Sequence, residues 1–334
     1  MTIIEKIRIR LFRGFTYLRR DIQGMLGMNE HFYKAARGSR IIIYHGICQN
    51  DHTRFNTIFI RKKTFEKHLQ FYKKYFNVVS LADFYKGQFK NDRFNICITF
   101  DDGFANNYKY VLPLLEKYKV PAVFFVTAVR DEGHNILWND YLTIASAKGP
   151  RKIMFRDESY YKHRGKYVSA TTHTTLAEML RNTGFEEKKE MMKILAPYAP
   201  GKQSKKLEDY WLQMTVNEIK QAAASPYITI GSHGYYHNDL ARISINEMTE
   251  ELKKSKNFLE QTTGKLVTAV AFPYGSYSPV VMEESVKAGY KQLLATEFLH
   301  INDHNNLLMK ERMGVNPFIR LHAQMYAIIK GKYA

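Results

Sequence analysis

The sequence has little cysteine and no long apolar run, and each absence excludes a class of protein. Its 334 residues include two cysteines, Cys48 and Cys97, both in apolar segments. We therefore expect reduced core thiols and not a disulfide framework. No stretch reaches the roughly 18 consecutive apolar residues of a transmembrane helix. Residues 1–22 place Arg and Lys where a signal peptide needs its apolar region, so we expect a cytoplasmic protein.

Acidic residues are also scarce relative to basic ones. There are 32 Asp and Glu against 50 Lys and Arg, which gives a net charge of +18. This charge favours anionic partners in general: nucleic acid, membrane surfaces or phosphate-bearing substrates. We expect no nucleic-acid binding, because the basic residues are scattered and no recognisable DNA- or RNA-binding module is present.

The first 38 residues form a basic segment that we separate from the domain at 39–334. Residues 3–22 place apolar side chains at helical spacing and Arg or Lys largely elsewhere. This pattern predicts an amphipathic helix of the kind that contacts an anionic membrane surface. The alternative is a terminal helix that packs its apolar stripe on the domain. Gly14 and Gly24 favour that alternative slightly, because they weaken a free-standing helix.

Residues 39–334 alternate short apolar strands with helices, which predicts parallel βα units. The predicted strands are at 40–47, 78–81, 94–100, 122–126, 227–230, 266–272 and 292–295. From about 138 to 210 the alternation stops and the sequence becomes polar, with many Lys, Tyr and Thr residues. We interpret 138–210 as a helical or irregular insertion in one loop.

Two adjacent acids end the apolar strand at 94–100. Asp101 and Asp102 are followed by Gly103, as expected for a buried strand that opens into a loop. In α/β folds, catalytic groups collect at the carboxyl ends of strands. Successive strand residues point to opposite faces, so one acid could bind a metal while the other acts as a base. An ordinary polar turn is the alternative.

Two further motifs follow predicted strands. His233 and His237, four residues apart, can converge on one metal ion. With an Asp they would supply three protein ligands and leave a position open for water, which is the pattern of a catalytic metal site. The segment Phe272-Pro-Tyr-Gly275 predicts a tight turn whose backbone N–H groups could face a developing oxyanion.

These motifs, in this order, resemble the polysaccharide deacetylase family, also called the NodB-homology domain and similar to carbohydrate esterase family 4. The resemblance rests on Thr99-Phe-Asp-Asp-Gly103, Ser232-His-Gly-Tyr-Tyr-His237 and Phe272-Pro-Tyr-Gly275. Three further matches are similar to a subgroup that begins with a Tyr-His strand: Tyr44-His45-Gly46, the helix with Phe65, His68 and Leu69, and Val79–Phe84. Together the matches span about residues 40 to 317.

The resemblance implies a metal-dependent amide hydrolase on a deformed (β/α) barrel. Its expected substrate is an N-acetylated amino sugar in a polysaccharide or glycan precursor, including lipid- or nucleotide-linked sugars. The resemblance also implies roles for five residues. Asp101 would be the general base that acts on a metal-bound water, and Asp102, His233 and His237 would hold the metal, with zinc the expected ion. The backbone N–H of Tyr274 would stabilise the oxyanion, and its ring would lie near substrate.

The resemblance leaves two candidates for the general acid that protonates the leaving amine. His45 is the assignment that the Tyr-His subgroup implies, and a His with a pKa near 7 suits the role. His300 is the competitor and a candidate substrate contact, because other family members supply the acid from a late Leu-His segment. Trp138 could form a wall of the sugar site, or it could belong to the core.

The sequence departs from the family pattern at two positions. Ala271 stands where the family often has an Arg that braces the base, and we expect Arg312 to substitute for it. Gly234 stands where a Ser or Thr usually ties down the loop after the first motif His. The alternative function is an inactive barrel that serves as a basic membrane- or glycan-binding module. The intact set of two acids and two histidines favours the enzyme.

Overall fold

The chain folds as one barrel with an insertion and an N-terminal helix. The computed structural model describes residues 2–55, 57–199 and 205–334. The strands are β1 (Ser39–Tyr44), β2 (Ile47–Cys48), β3 (Ile60–Arg61), β4 (Phe76–Val78), β5 (Phe94–Phe100), β6 (Ala122–Val126), β7 (Lys152–Phe155), β8 (Glu158–His163), β9 (Lys166–Ser169), β10 (Ile228–Ser232), β11 (Ala269–Ala271), β12 (Gln292–Ala295) and β13 (Met309–Gly314).

Helices precede, connect and follow these strands. They are α1 (Ile3–Met25), α2 (Glu30–Ala35), α3 (Lys62–Tyr75), α4 (Leu81–Tyr85), α5 (Leu112–Tyr118), α6 (Trp138–Lys148), α7 (Leu176–Arg181), α8 (Phe185–Ile194), α9 (Val216–Ala224), α10 (Ile245–Thr263), α11 (Pro279–Lys287) and α12 (Leu321–Lys330). A π-helical turn, Asn107–Val111, leads into α5. Capping boxes begin α9 and α10, where Thr215 and Ser244 each pair with a Glu three residues later.

Seven parallel strands close the barrel in the order β1-β13-β12-β11-β10-β6-β5, and β5 pairs back onto β1. The ring is deformed at β5. Its first half pairs with β4 at Phe94–Ile96, and its second half pairs with β6 at Thr99 and Phe100. The structure thus confirms the predicted deformed (β/α) barrel.

Alternation along β5 explains how the barrel positions its acids. Ile96, Ile98 and Phe100 belong to the core between the strands and the outer helices. Cys97 belongs to a second cluster inside the barrel, with residues such as Val123 and Phe125 of β6. A parallel strand buried on both faces needs apolar residues on both, which accounts for the continuous apolar run. Asp101, two residues beyond Thr99, continues the inward-facing row.

The last barrel strand was not predicted. The last strand predicted from the sequence was 292–295, but β13 follows it and closes the ring by pairing with β1 and β12. Its sequence, Met-Lys-Glu-Arg-Met-Gly, has no β-branched residue and no clear alternation. Tertiary pairing therefore decides the conformation of this segment, against its weak intrinsic preference.

The insertion has more regular structure than expected. Besides helices α6, α7 and α8 it contains a three-stranded antiparallel sheet in the order β7-β8-β9. These elements form their own apolar cluster around residues such as Trp138, Phe155 and Tyr167. Cys48 of β2 packs into this cluster too, and both cysteines are buried and unpaired.

Helix α1 is fixed to the barrel by its second half. The carboxylate of buried Asp21 accepts hydrogen bonds from the backbone N–H groups of His322 and Ala323, at the start of α12. Arg20 lies over the ring of Tyr326, 3.9 Å from its centroid. The first half of α1 leaves its apolar side chains exposed, with Leu11, Phe12 and Phe15 between 67% and 70% accessible. The alternative in which α1 packs its whole stripe on the domain is therefore wrong.

Within the described residues, no helix is both long enough and apolar enough to cross a bilayer.

Candidate active site

The acids and histidines singled out from the sequence meet at the carboxyl ends of two barrel strands, β5 and β10, that are separated by β6. Asp101 and Asp102 follow β5, and the segment with His233 and His237 begins at the last residue of β10. All four side chains are buried, at 2% to 5% exposure. A backbone hydrogen bond of 2.9 Å from the Asp101 N–H to the Tyr44 carbonyl ties this edge to the end of β1.

Asp102, His233 and His237 form a compact set of metal-ligating groups. Asp102 Oδ1 lies 3.3 Å from His233 Nε2 and 3.2 Å from His237 Nε2. One ligand atom from each residue lies within 4.8 Å of the others. His233 Nδ1 lies 2.8 Å from the Ala271 carbonyl oxygen, so Nδ1 carries the proton and Nε2 keeps its lone pair for a metal. One oxygen and two imidazole nitrogens suit a divalent ion such as zinc.

The site is built on unusual backbone conformations. Asp102, His237 and Tyr274 have φ values of 76°, 60° and 61°, in the left-handed region that non-glycine residues seldom adopt. Gly103 has φ 77°, and a Cβ there would lie 3.0 Å from a Val126 methyl carbon, so glycine is required. Such strain persists where the surrounding structure enforces it, and it is common at functional sites.

Arg312 of β13 braces Asp101. Its two terminal guanidinium nitrogens donate to the two carboxylate oxygens at 2.7 and 2.8 Å, and one of them also reaches the Thr99 hydroxyl at 3.2 Å. Both partners are buried. A two-pronged, charge-assisted pair fixes the orientation of the carboxylate as well as its charge. Arg312 therefore lies where the sequence analysis expected a substitute for the family arginine; its catalytic role stays a prediction.

Both acids are held in their ionised form. Burial is the largest single effect and by itself raises the pKa of Asp101, but Arg312, His233 and His45 together outweigh it and hold the pKa below its ordinary value. Burial also raises the pKa of Asp102, and the adjacent His233 and His237 imidazoles lower it well below the usual range. Asp101 is thus ionised, as a base must be, and Asp102 has the charge that a metal ligand needs.

His45 and His300 lie in different surroundings. His45 follows β1, is half-buried, and its charge helps to lower the pKa of both Asp101 and Asp102, which indicates an imidazole close to the two acids. His300 is exposed, and its ring packs against Tyr277, with 5.8 Å between the ring centroids. Its backbone N–H donates to Asp303. These positions favour His45 as the acid, and the assignment stays a prediction.

Glu251 of α10 ties down the segment between the two metal-ligating histidines. Its Oε1 accepts from the backbone N–H groups of Tyr235, Tyr236 and Asn238 at 3.0 to 3.2 Å. Its Oε2 accepts from the Asn238 side-chain amide at 2.8 Å. A Cβ at Gly234, where φ is 78°, would lie 2.9 Å from Glu251 Oε1. Glu251 therefore occupies the space beside Gly234. Its hydrogen bonds hold the loop after His233 in place, which is the role of the Ser or Thr that the sequence lacks at position 234.

The insertion supports the same segment, and its tryptophan corrects a prediction. The Trp138 indole N–H donates to the His237 carbonyl at 3.1 Å. Lys188 lies over the Trp138 ring, 4.7 Å from its centroid, and donates to the Asn238 side-chain carbonyl. Trp138 is only 3% exposed, so it has no free face for a sugar. The prediction that Trp138 forms a wall of the sugar site is therefore wrong. Its indole instead supports the His237 backbone.

Two more charged residues of the insertion lie near the site. The Arg181 guanidinium carbon is 4.5 Å from the centroid of the Tyr274 ring, which in turn lies 4.7 Å from the His237 ring. Asp140 is buried two residues beyond Trp138. Burial and the charge of Asp102 raise the pKa of Asp140 well above its usual range.

Glu251, Lys188, Arg181 and Asp140 were missed by the sequence analysis. Each is a single charged residue in a helix, and no local motif distinguishes it from a solvated one.

Comparison with known families agrees with these motifs. The family model described as "Polysaccharide deacetylase" matches residues 90–185 and 203–293, more than half of the chain. Among curated proteins, the uncharacterized protein YlxY of Bacillus subtilis (strain 168) is 31% identical over 77 residues. That match covers 23% of this chain and 24% of YlxY, so it spans only a quarter of the relative's length.

Several solved structures with a similar fold are described as deacetylases. The Streptococcus pyogenes deacetylase PplD, in complex with acetate, has a TM-score of 0.57 and 17% identity; the match covers 88% of this chain and 99% of that one. A polysaccharide deacetylase from Bacillus cereus has a TM-score of 0.55 and 19% identity, over 88% and 69% of the two chains. A de-N-acetylase from Aggregatibacter actinomycetemcomitans has values of 0.54 and 14%, over 88% and 98%. At these identities the similarity concerns the fold.

Proposed function

The chain belongs to the polysaccharide deacetylase family, and from this premise we propose that it removes an N-acetyl group from an amino sugar in a glycan or glycan precursor. Members of this family are hydrolases that act on amide bonds. The main observation behind the proposal is that the two adjacent buried acids have different partners. Asp101 is paired with Arg312, whereas Asp102 joins His233 and His237.

Each of these residues has one task in the proposed reaction. Asp102, His233 and His237 would hold a divalent metal, for which we propose zinc; when bound, it supplies a Lewis acid that polarises the amide carbonyl. Asp101 accepts a proton from the attacking water, and Arg312 keeps its carboxylate oriented and ionised between turnovers. The backbone N–H of Tyr274 donates to the oxygen of the tetrahedral intermediate.

We assign the proton donor for the leaving amine to His45. Its imidazole lies at the end of β1, at the same barrel edge as the two acids, and a histidine can exchange a proton near neutral pH. His300 is the weaker candidate, because its described contacts are with Tyr277 and Asp303.

The proposal includes a contact between α1 and an anionic membrane. The exposed apolar residues of α1 are accompanied by basic side chains that are also exposed: Lys6, Arg8, Arg10, Arg13 and Arg19. Apolar side chains insert among lipid headgroups while cationic ones attract anionic lipids, and the two effects add. This contact would bring the enzyme to a lipid-linked sugar. The cytoplasmic location expected from the sequence stays a prediction.

The test of this function is to measure metal content and acetate release on the same preparation. The substrates would be N-acetylhexosamine oligomers and nucleotide- and lipid-linked N-acetyl sugars. We expect one equivalent of metal per chain and release of acetate from at least one class. A protein that takes up no metal even after reconstitution, and releases no acetate, would overturn the proposal.

A further inference from the structure

A large cavity lies outside the barrel. Its volume is about 940 Å³, and it is bounded by α3, the end of α1 and the segment at 317–322 that leads into α12. This volume is near the upper end of the range for ligand pockets. Asp101, Asp102, His233 and His237 are not among its lining residues, so the cavity is separate from the active site.

The cavity combines an apolar floor with a cationic rim. Ile319 and Leu321, which are half-buried, contribute apolar surface, and Arg61, Lys67, Lys74 and Arg320 contribute positive charge. Of these four cations, Lys74 lies 3.7 Å from Glu30. Within the described residues the other three make no ion pair.

Both acids in the lining already have partners. Asp21 accepts the backbone hydrogen bonds at the start of α12, and Glu30 lies 3.2 Å from Lys34, outside the cavity lining. The rim therefore keeps an excess of positive charge.

A buried imidazole nitrogen in the lining has no partner. His68 is 1% exposed, and its Nδ1 shares a 2.9 Å hydrogen bond with the Tyr44 hydroxyl. Its Nε2 is buried and has no hydrogen-bond partner among the described residues. The same holds for Nδ1 of His52, whose Nε2 lies 3.1 Å from the Pro317 carbonyl oxygen. Buried polar atoms are rarely left unpaired, so these two atoms indicate a partner outside the chain, either a bound ligand or a water.

We propose that this cavity binds the headgroup and first methylenes of a phosphate-bearing lipid. A phosphate ester is anionic and has several acceptor oxygens, which suits a rim of Arg and Lys side chains. Its hydrocarbon chain suits the apolar floor formed by Ile319 and Leu321. A free phosphate would contact only the cationic rim, and an uncharged apolar molecule would contact only the apolar floor.

The position of α1 supports a lipid as the occupant. Met25, at the end of α1, lines the cavity and is 65% exposed. Leu26 and Met28, which follow it, are 70% and 65% exposed. The exposed apolar surface of α1 is therefore continuous with the cavity rim, so a lipid could enter the cavity without exposing its chain to water.

The test is a binding measurement on the full chain, which does not depend on the deacetylase activity. Calorimetric titrations would compare decyl phosphate below its micellar concentration with inorganic phosphate and with decyl maltoside. We expect saturable binding of decyl phosphate, at least roughly 10-fold tighter than that of either other probe. Equal affinity for inorganic phosphate would reveal a plain anion site, and equal affinity for decyl maltoside would reveal an apolar groove without headgroup selection. Either result, or no binding of decyl phosphate, overturns the proposal.

Helix α3 offers a matched pair of variants. Lys67→Glu with Lys74→Glu reverses two charges on the rim, whereas Lys63→Glu with Lys73→Glu makes the same change at exposed positions of α3 outside the lining. We expect the first double variant to weaken decyl phosphate binding by about 10-fold or more and the second by less than about 2-fold. A third variant, Thr64→Trp, places a bulky ring in the cavity lining and should weaken decyl phosphate binding by about 10-fold or more. Equal binding by the two charge variants would place the lipid elsewhere, for example on α1, and would refute the proposal.

Discussion

Arg312 reaches Asp101 across 211 residues of sequence. The barrel makes this possible, because β13 and β5 are both neighbours of β1 and their inward-facing side chains meet in the interior. The guanidinium satisfies both oxygens of a carboxylate that has almost no access to solvent. At the scale of single residues, this pair is what keeps the proposed base charged.

Replacing Arg312 by Met should therefore reduce the deacetylase activity much more than the metal content. Without the guanidinium, burial raises the pKa of Asp101 and leaves its carboxylate unoriented. We expect kcat/KM to fall by about 10²- to 10³-fold, within the range of general-base contributions. Arg312→Lys should recover only part of this loss, since an ammonium cannot donate to both oxygens in the same geometry. Metal content should remain near that of the wild type, and loss of metal in Arg312→Met would contradict this assignment.

The site residues that lie in sequence motifs could be predicted. Residues that reach the site from distant parts of the sequence could not be recognised by a local pattern. Asp102, His233 and His237 follow strands at recognisable spacing, so their convergence could be expected. Arg312 was expected only because Ala271 left a gap in the family pattern. Nothing local distinguishes Glu251 from its exposed neighbours, because its role depends on the loop that packs against it.

At the scale of elements, α10 and the insertion together hold the segment that contains His237. Glu251 accepts three backbone N–H groups and one side-chain amide from residues 235–238. Trp138 of α6 adds a hydrogen bond to the His237 carbonyl. His237 has a positive φ, so the ligand position depends on these contacts and not on backbone preference.

Glu251→Gln should weaken metal binding. The amide retains part of the acceptor capacity but loses the charge that strengthens four hydrogen bonds. We expect metal affinity to fall by about 10- to 100-fold, the range for groups that orient metal ligands. Metal affinity would be measured by competition with a chelating dye. Glu250→Gln is the matched control, because Glu250 is the preceding residue of α10 and its side chain is 70% exposed. Equal metal affinity of the two variants would exclude this role for Glu251.

Helix α3 contributes a pH-dependent part of the stability through His68. Burial lowers the pKa of His68 to about 3, whereas an unfolded histidine has a pKa of about 6.5. Below about pH 6.5 the unfolded chain therefore binds a proton that the folded chain does not. From about pH 7 to about pH 5 this difference should cost about 2 kcal/mol of unfolding free energy.

His68→Gln removes this titration, so its unfolding free energy should fall less than that of the wild type over the same pH interval. Urea unfolding at several pH values measures the difference. His163→Gln, at an exposed position of β8, should keep the wild-type slope. A slope for His68→Gln equal to that of the wild type would show that His68 does not titrate as proposed.

Element boundaries show the same limit of sequence reasoning. Apolar strands such as β5 and β6 were predicted with the bounds that they have. β13 and the sheet β7-β8-β9 were missed, because each of these strands contains charged residues and none alternates clearly between apolar and polar residues. Their strand conformation depends on partners, which only the folded chain provides.

At the scale of the whole molecule, α1 extends an apolar and basic surface away from the barrel. Asp21 and Arg20 anchor its second half, and the described residues of its first half are exposed, so the first half can contact a membrane without disturbing the fold. The net charge of +18 adds a general attraction to anionic surfaces.

Replacing Leu11, Phe12 and Phe15 by Ser should release the protein from anionic vesicles. The three side chains are exposed, so their removal should leave thermal stability unchanged. Sedimentation with phosphatidylserine-containing vesicles should show vesicle binding at least roughly 10-fold weaker than wild type. The control replaces Val280, Val286 and Leu307, which are exposed elsewhere, by Ser. Equal vesicle binding by the two triple variants would refute the role of α1.

The proposed reaction depends most on the different roles of the adjacent acids, with Asp101 as the base and Asp102 as a metal ligand. One comparison of variants tests these roles directly. Metal content and deacetylation would be measured for Asp101→Asn and for His233→Ala. We predict that Asp101→Asn keeps its metal and loses turnover by about 10³-fold or more, because a base is missing. His233→Ala should lose both metal and turnover, because a ligand is missing. Equal loss of metal in the two variants would contradict the account.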